Sequence, residues 1–297
     1  MVKQPKIDTV KETLKRFQER MKEMSENYKP ELVYYAGNSL LEGPLWDDEN
    51  NLLYFVSIED NIIYSLNEET TEIQSYRTES PVGAAVLDGK GHILAAEMDG
   101  IYSIDIETKE RTFVMQPKED DQLRYNDGKL DPKGRFLVGT MGYGEIIEGT
   151  ANLFLIENGD SKELLSDLTL SNGMGWSKDG QTFYHIDTPT DKVMRYDYDL
   201  ETGEISNGRT AVEIPGDGPP DGMYVDIDEN IWVAEYGGKQ VRKWDPETGE
   251  MIAEIPMPVS NVTSCCLGGP DKNYLYITTA HKDDGALSGG LFKVQLR

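Results

Sequence analysis

The sequence predicts an all-β fold, a six-bladed β-propeller with an extra N-terminal α-helix. Three observations carry that expectation. A strand–turn–strand pattern opening on a small residue recurs six times along the chain. Its marker positions, 43, 83, 128, 173, 222 and 265, lie 40 to 49 residues apart, the length of one four-stranded blade. An orphan strand ahead of the first copy also answers a strand missing from the last.

The copies run in order. Glu42-Gly43-Pro44-Leu45-Trp46 leads into Leu52-Leu53-Tyr54-Phe55-Val56, and Val82-Gly83-Ala84-Ala85-Val86 leads into His92-Ile93-Leu94-Ala95-Ala96. Asn126-Asp127-Gly128-Lys129-Leu130 precedes Arg135-Phe136-Leu137-Val138. Asn172-Gly173-Met174-Gly175-Trp176 precedes Thr182-Phe183-Tyr184-His185-Ile186. The fifth and sixth copies open at Asp221-Gly222-Met223 and at Ser264-Cys265-Cys266-Leu267. Short β-branched and aromatic runs bounded by Gly, Asn and Asp read as strands and turns. Between outer strands, Asp199-Leu200-Glu201-Thr202-Gly203 and Asp245-Pro246-Glu247-Thr248-Gly249 read as type I turns closed by a left-handed glycine.

The last copy ends at Leu291-Phe292-Lys293-Val294 without an outermost strand, whereas Glu31-Leu32-Val33-Tyr34-Tyr35 precedes the first copy. Joined, they close the ring and remove an exposed sheet edge. This divides the chain into a helix over 1–30 and a propeller domain over 31–297. The helix is read from Ile7, Val10, Leu14, Phe17, Met21, Met24 and Tyr28 at spacings of three and four, ended by Pro30. It carries eight Lys/Arg against five Asp/Glu. Packing on its own propeller and bridging to a neighbouring subunit's acidic surface, as a homo-oligomer, both suit it.

Charge excludes some functions. With 54 acidic and 29 basic side chains the chain has a net charge of −25, which repels nucleic acid and anionic membranes and attracts cations. No apolar run approaches the roughly 18 residues of a membrane span. The N-terminus lacks the apolar stretch of a signal peptide, so a cytoplasmic protein is expected. The two cysteines, Cys265 and Cys266, are neighbours and read as a reduced, buried pair.

Superposing the repeats brings Glu42, Val82, Asp127, Asn172, Asp221 and Ser264 to one ring at the mouth of the central channel. Four of these six carry a carboxylate or carboxamide oxygen, the donors that hard divalent cations take. Singly, each reads as a turn-capping residue. Their agreement in register is what points to a cation. Other chemistries lack anchors: His92, His185 and His281 form no zinc motif, and no GxSxG elbow occurs. His185 reads as a packed strand side chain.

The strings Glu42-Gly43-Pro44-Leu45-Trp46, Arg124-Tyr125-Asn126-Asp127-Gly128-Lys129-Leu130-Asp131-Pro132, Gly139-Thr140-Met141, Ser171-Asn172-Gly173, Pro220-Asp221-Gly222-Met223 and Thr263-Ser264-Cys265-Cys266 resemble the regucalcin family. That family is also called the senescence marker protein-30, gluconolactonase and luciferin-regenerating enzyme-like family. The resemblance spans residues 31–297 and implies a six-bladed propeller with one divalent metal ion per chain. Calcium comes first, with zinc, manganese or magnesium as alternatives.

It further implies hydrolysis of a sugar lactone, gluconolactone or a related aldonolactone, to the aldonic acid. By the same resemblance Glu42, Asn172 and Asp221 hold the metal, Asp221 is also the catalytic proton acceptor, and Arg124 and Asn126 bind substrate. The family's substrate-contacting glutamate falls on Gly144 by counting, and Glu145 is the neighbouring replacement. Asp127 and Asp187 stand as substitute bases. Two other functions fit the same motifs: a non-catalytic calcium-binding regulatory protein, and a hydrolase or lyase of another small ester-like substrate. The former does not require Arg124.

Overall fold

The structure, a computed structural model, describes residues 28–35, 37, 39–216, 218–281 and 287–296. Among them the chain forms twenty-four strands in six four-stranded antiparallel sheets. The expected helix over 1–30 lies outside the described residues except for its last three, Tyr28 to Pro30, which carry no regular structure. The only helical element described is a short 3-10 turn, Thr188–Thr190.

The strands that open the six repeats are the innermost of their sheets: Leu41–Asp47, Val82–Leu87, Leu123–Leu130, Ser171–Trp176, Pro220–Val225 and Val262–Gly268. Each packs against the innermost strands of the blades before and after it, so they form a closed ring. Both their faces are covered, and this is why they read as near-continuous small and apolar runs. Outer strands such as Glu72–Arg77 expose one face and alternate.

The core divides into six apolar clusters, one in each seam between neighbouring blades. Cys265 faces the seam between blades five and six, while Cys266 faces the seam between six and one. Successive strand residues point to opposite faces, so the two buried thiols cannot bridge.

Closure occurs as the sequence implies. Glu31–Tyr35 pairs antiparallel with Gly290–Gln295 and completes a sheet whose other three strands end the chain. Tyr34 on that strand packs its ring 5.8 Å from Phe55 and 5.5 Å from Tyr64 of blade one. The hairpin expectation holds too. Asp199 accepts from the Glu201 and Thr202 amides at 2.9 and 3.0 Å, and Gly203 has φ +71°. The turn at Asp245 repeats this arrangement, with Gly249 at φ +74°.

Candidate active site

In every inner strand the ladder with its neighbour slips near the start. The slips fall between Glu42 and Leu45, Val82 and Ala84, Tyr125 and Gly128, Ser171 and Met174, Pro220 and Met223, and Val262 and Ser264. Bulges re-aim side chains that regular pairing would hold perpendicular to the sheet. Asn126, Asp127, Asn172 and Asp221 all lie within these slips, and Glu42 borders one. Close approach between blades accompanies them. A β-carbon at Gly173 would come within 2.8 Å of the Asp221 carbonyl, and one at Gly222 within 2.1 Å of the Ser264 hydroxyl.

The slips bring together side chains from blades one, three, four and five. Glu42, Arg124, Asn126, Asp127, Asn172 and Asp221 are each between 4 and 9% exposed. Arg124 Nη1 donates to the Tyr125 carbonyl and to Asn126 Oδ1, both at 2.8 Å. Asn126 Nδ2 donates in turn to the Ser171 carbonyl at 2.9 Å and to Asn172 Oδ1 at 2.8 Å. Asn172 Nδ2 donates to Thr188 Oγ1 at 2.8 Å, and that hydroxyl donates to the Pro220 carbonyl at 2.9 Å. The Asn172 amide also lies near enough to the Asp221 carboxyl to favour its charged form. One polar chain therefore runs from blade three to blade five.

Electrostatics set the character of the group. Burial pushes the Glu42 carboxyl up to about 8; repulsion from Asp127 adds to this, and the Gly43 amide, Arg124 and Lys129 oppose it. Burial likewise raises Asp127, against Lys129 and the Gly128 amide. Asp221 lies well above the usual carboxylate range through burial, then repulsion from Glu42 and Asp127. Burial lowers Arg124 to about 10 against the pull of Glu42, Asp221, Glu59 and Tyr143. Asp127 Oδ1 accepts from the Gly128 amide at 2.7 Å, whereas its buried Oδ2 has no hydrogen-bond partner among the described residues. Below the ring a cavity of about 390 Å³ follows the inner strands, with Asp127, Lys129, Tyr224 and Cys266 in its wall.

The remaining sequence-predicted residues lie in varied settings. Asp187 is engaged as a backbone cap: it accepts from Leu170 N at 2.8 Å and Thr169 N at 3.1 Å, anchoring the start of an inner strand. Glu145 is exposed on the loop after Phe136–Gly142, and among the described residues no hydrogen bond or ion pair joins its carboxylate to Arg124 or Asn126. Val82 and Ser264 complete the ring as fully buried positions. His185 is packed as expected, with Nε2 2.8 Å from Ser171 Oγ, and burial pushes it down to about 3, so it stays neutral. Among the described residues no three His, Cys, Asp or Glu side chains converge as a ready-made metal cage. Any ion here would draw on two carboxylates, an amide oxygen and water.

Sequence reading missed Thr188, Glu59 and Lys129. Lys129 Nζ donates to the Met223 carbonyl and supplies positive charge beneath the carboxylates. It stands within the quoted Asn126-to-Leu130 string, so the signal was present. Thr188 follows a strand in a Thr-Pro-Thr turn, which by itself signals only a bend.

A family profile described as SMP-30/Gluconolactonase/LRE-like region matches residues 40–281, most of the chain. The chain belongs to that family. It is 36% identical over 267 residues to regucalcin of Xenopus laevis, across 85% of this chain and 89% of that one. It is 35% identical over 265 residues to YvrE of Bacillus subtilis, whose provisional name is sugar lactone lactonase, across 86% and 90% of the two chains. A calcium-binding protein, regucalcin, from Agrobacterium tumefaciens superposes with a TM-score of 0.85 at 25% identity, across 91% and 96%. Within the family, lactonase-type hydrolysis is the broad activity, with a small-molecule cyclic ester as substrate. No helix among the described residues is long and apolar enough to cross a membrane.

Proposed function

We propose that the chain is a divalent-metal-dependent hydrolase that opens a sugar lactone, gluconolactone or a related aldonolactone, to the aldonic acid. The observation that carries this is the buried polar chain from Arg124 to Asp221, flanked by Glu42 and Asp127. Three carboxyl groups sharing one buried site repel one another, and an unpartnered Asp127 Oδ2 adds a costly orphan. Positive charge relieves both. The oxygen-only donor set fits a hard cation, calcium before magnesium or manganese, with zinc as the outlier.

Glu42, Asn172 and Asp221 would hold the ion, and Asp221 is the proposed proton acceptor. When bound, the metal polarises the ester carbonyl and offsets the negative charge that develops on its oxygen. Arg124 and Asn126 hold the sugar hydroxyls and so fix the carbonyl over the carboxylates. Asp221 takes a proton from the attacking water as the water oxygen bonds to the carbonyl carbon. The ring C–O bond then breaks, and the departing oxygen takes that proton back from Asp221. With Asp187 engaged by backbone amides, Asp127 is the remaining carboxylate for this duty if Asp221 stays locked as a ligand.

Acid release from a panel of aldonolactones, with calcium, zinc, manganese or magnesium added, tests the reading. Arg124→Ala should lower kcat/KM by about 100-fold with cation affinity intact. Asp221→Ala should abolish turnover. A metal-loaded protein that opens no lactone, yet binds the cation, would favour the calcium-binding regulatory protein instead, a reading the regucalcin relatives support. The homo-oligomer contact through residues 1–30 remains part of the proposal, checked by sedimentation of a chain starting at residue 31.

A further inference from the structure

Beneath the carboxylates stands a cation to which the proposed hydrolysis gives no task. Lys129 follows Asp127 by two positions on the inner strand Leu123–Leu130, and Met223 follows Asp221 by two on Pro220–Val225. Lys129 Nζ donates to the Met223 carbonyl, so the side chain reaches from blade three past blade four to blade five, one layer below the ring. The ammonium also lies 5.8 Å from the centre of the Tyr224 ring. This half-buried lysine thus meets a carbonyl and an aromatic face rather than a carboxylate.

A charge in that place reaches several blades at once. It favours the ionised forms of Glu42 in blade one, Asp127 in blade three, and Cys265 and Cys266 in blade six. Together with its hydrogen bond to blade five, this puts the ammonium near the channel axis. The cavity of about 390 Å³ has Lys129 in its wall, so the charge stands between that space and the ring. Arg124, by contrast, is held by the Tyr125 carbonyl and Asn126 Oδ1. Without a metal, the ammonium offsets the repulsion between Glu42 and Asp127. With a metal, the same charge opposes the ion, because like charges in a partly buried site repel with little screening.

We infer that Lys129 is a built-in counter-charge that sets how tightly the site holds its cation and discriminates against ions of higher charge. This rests on the metal-site reading above and adds a residue outside the ligand set. Lys129 acts on the ion through space, neither as a ligand nor as a base. The ion stays exchangeable because part of the ring's negative charge is already answered. Coulomb repulsion grows in proportion to the ion's charge, so the ammonium opposes a trivalent ion about half as strongly again as a divalent one. The sign of the effect separates this role from a bracing one. A strut that only tied blade three to blade five would, when removed, loosen the ligands and weaken binding.

The test is calorimetric titration of calcium and of lanthanum into the metal-stripped full chain, as wild type, Lys129→Met, Lys129→Gln and Lys129→Arg. Heat that persists in Asp221→Asn is subtracted as surface binding, since the chain has a net charge of −25. Methionine keeps the length of the side chain without its charge. Glutamine is neutral yet keeps a donor for the Met223 carbonyl, and it carries the test if the methionine variant fails to fold. Both neutral variants should bind calcium about tenfold and lanthanum about thirtyfold more tightly than the wild type, with Lys129→Arg within about threefold of it. Calcium bound no more tightly by the neutral variants overturns the counter-charge. So does a lanthanum gain no larger than the calcium gain, or an arginine variant that gains as much as the methionine one. If neither the wild type nor any variant takes up a cation, the metal-site reading falls and the role of Lys129 with it. Failure of that role alone shows as wild-type binding that the neutral variants leave unchanged or weaken.

Discussion

The Asn172 side chain is held at both ends, its Oδ1 by Asn126 and its Nδ2 by Thr188. An amide free to rotate would present nitrogen where the proposed cation needs oxygen, so Thr188 would act as a positioning residue. Thr188→Val should weaken cation affinity about tenfold, and Thr188→Ser should restore it, as titration of the purified variants would read. The Ser171–His185 pair has a similar supporting place, since the Ser171 carbonyl receives Asn126 and burial keeps His185 uncharged. At this scale the sequence was informative where type and spacing coincided. Glu42, Asp127, Asn172 and Asp221 stand at one level in the register of the repeats, whereas Arg124 and Asn126 came from the family strings. Asp187 shows where that logic stops. A carboxylate's partner depends on which backbone amides fold back to it, and pattern does not carry that.

The bulges are the elements that turn a packed ring of strands into a site. Six strands slip at equivalent places, yet no residue code announces it, because a slip belongs to the pairing of two strands. The strands themselves were readable from their β-branched and aromatic runs and from glycines at matching offsets. Gly173 shows the packing that results. Gly173→Ala would drive a β-carbon into the Met223 amide at 2.7 Å and the Asp221 carbonyl at 2.8 Å, backbone atoms that cannot rotate aside. This should cost about 1–3 kcal/mol of stability in denaturant titration and displace Asp221, lowering activity as well.

Closure by Glu31–Tyr35 was legible for a different reason: one strand short at one end and one spare at the other leaves a single economical pairing. Removing residues through Tyr35 exposes the edge of Gly290–Gln295 and strips Tyr34 from its contacts with Phe55 and Tyr64. The melting temperature should fall by roughly 5 °C or more, with aggregation on heating. An unchanged melting curve would mean that the seam closes without this strand.

Across the whole molecule the chain carries 54 acidic side chains, three of them the mutually repelling Glu42, Asp127 and Asp221 of the site. The pH response follows. Glu42 titrates near 4.5 when unfolded and is pushed to about 8 when folded without a cation, so the folded state holds the extra proton between those values. Glu42's own contribution to the stability of the metal-free protein is therefore fully present below about 4.5 and is lost as pH rises through about 8, which denaturant titration at pH 5 and pH 8.5 would read. A bound cation reverses the balance by favouring the charged carboxylates, and its uptake at pH 7 releases on the order of one proton.

The central claim is that oxygens from blades one, four and five share one ion. Calorimetric titration of calcium into metal-stripped wild type, Glu42→Gln and Asp221→Asn reads it most directly, in two buffers so that proton release is counted. The wild type should take one ion per chain with proton release, and each variant should bind at least about 100-fold more weakly. Equal affinity and stoichiometry in all three proteins would contradict it.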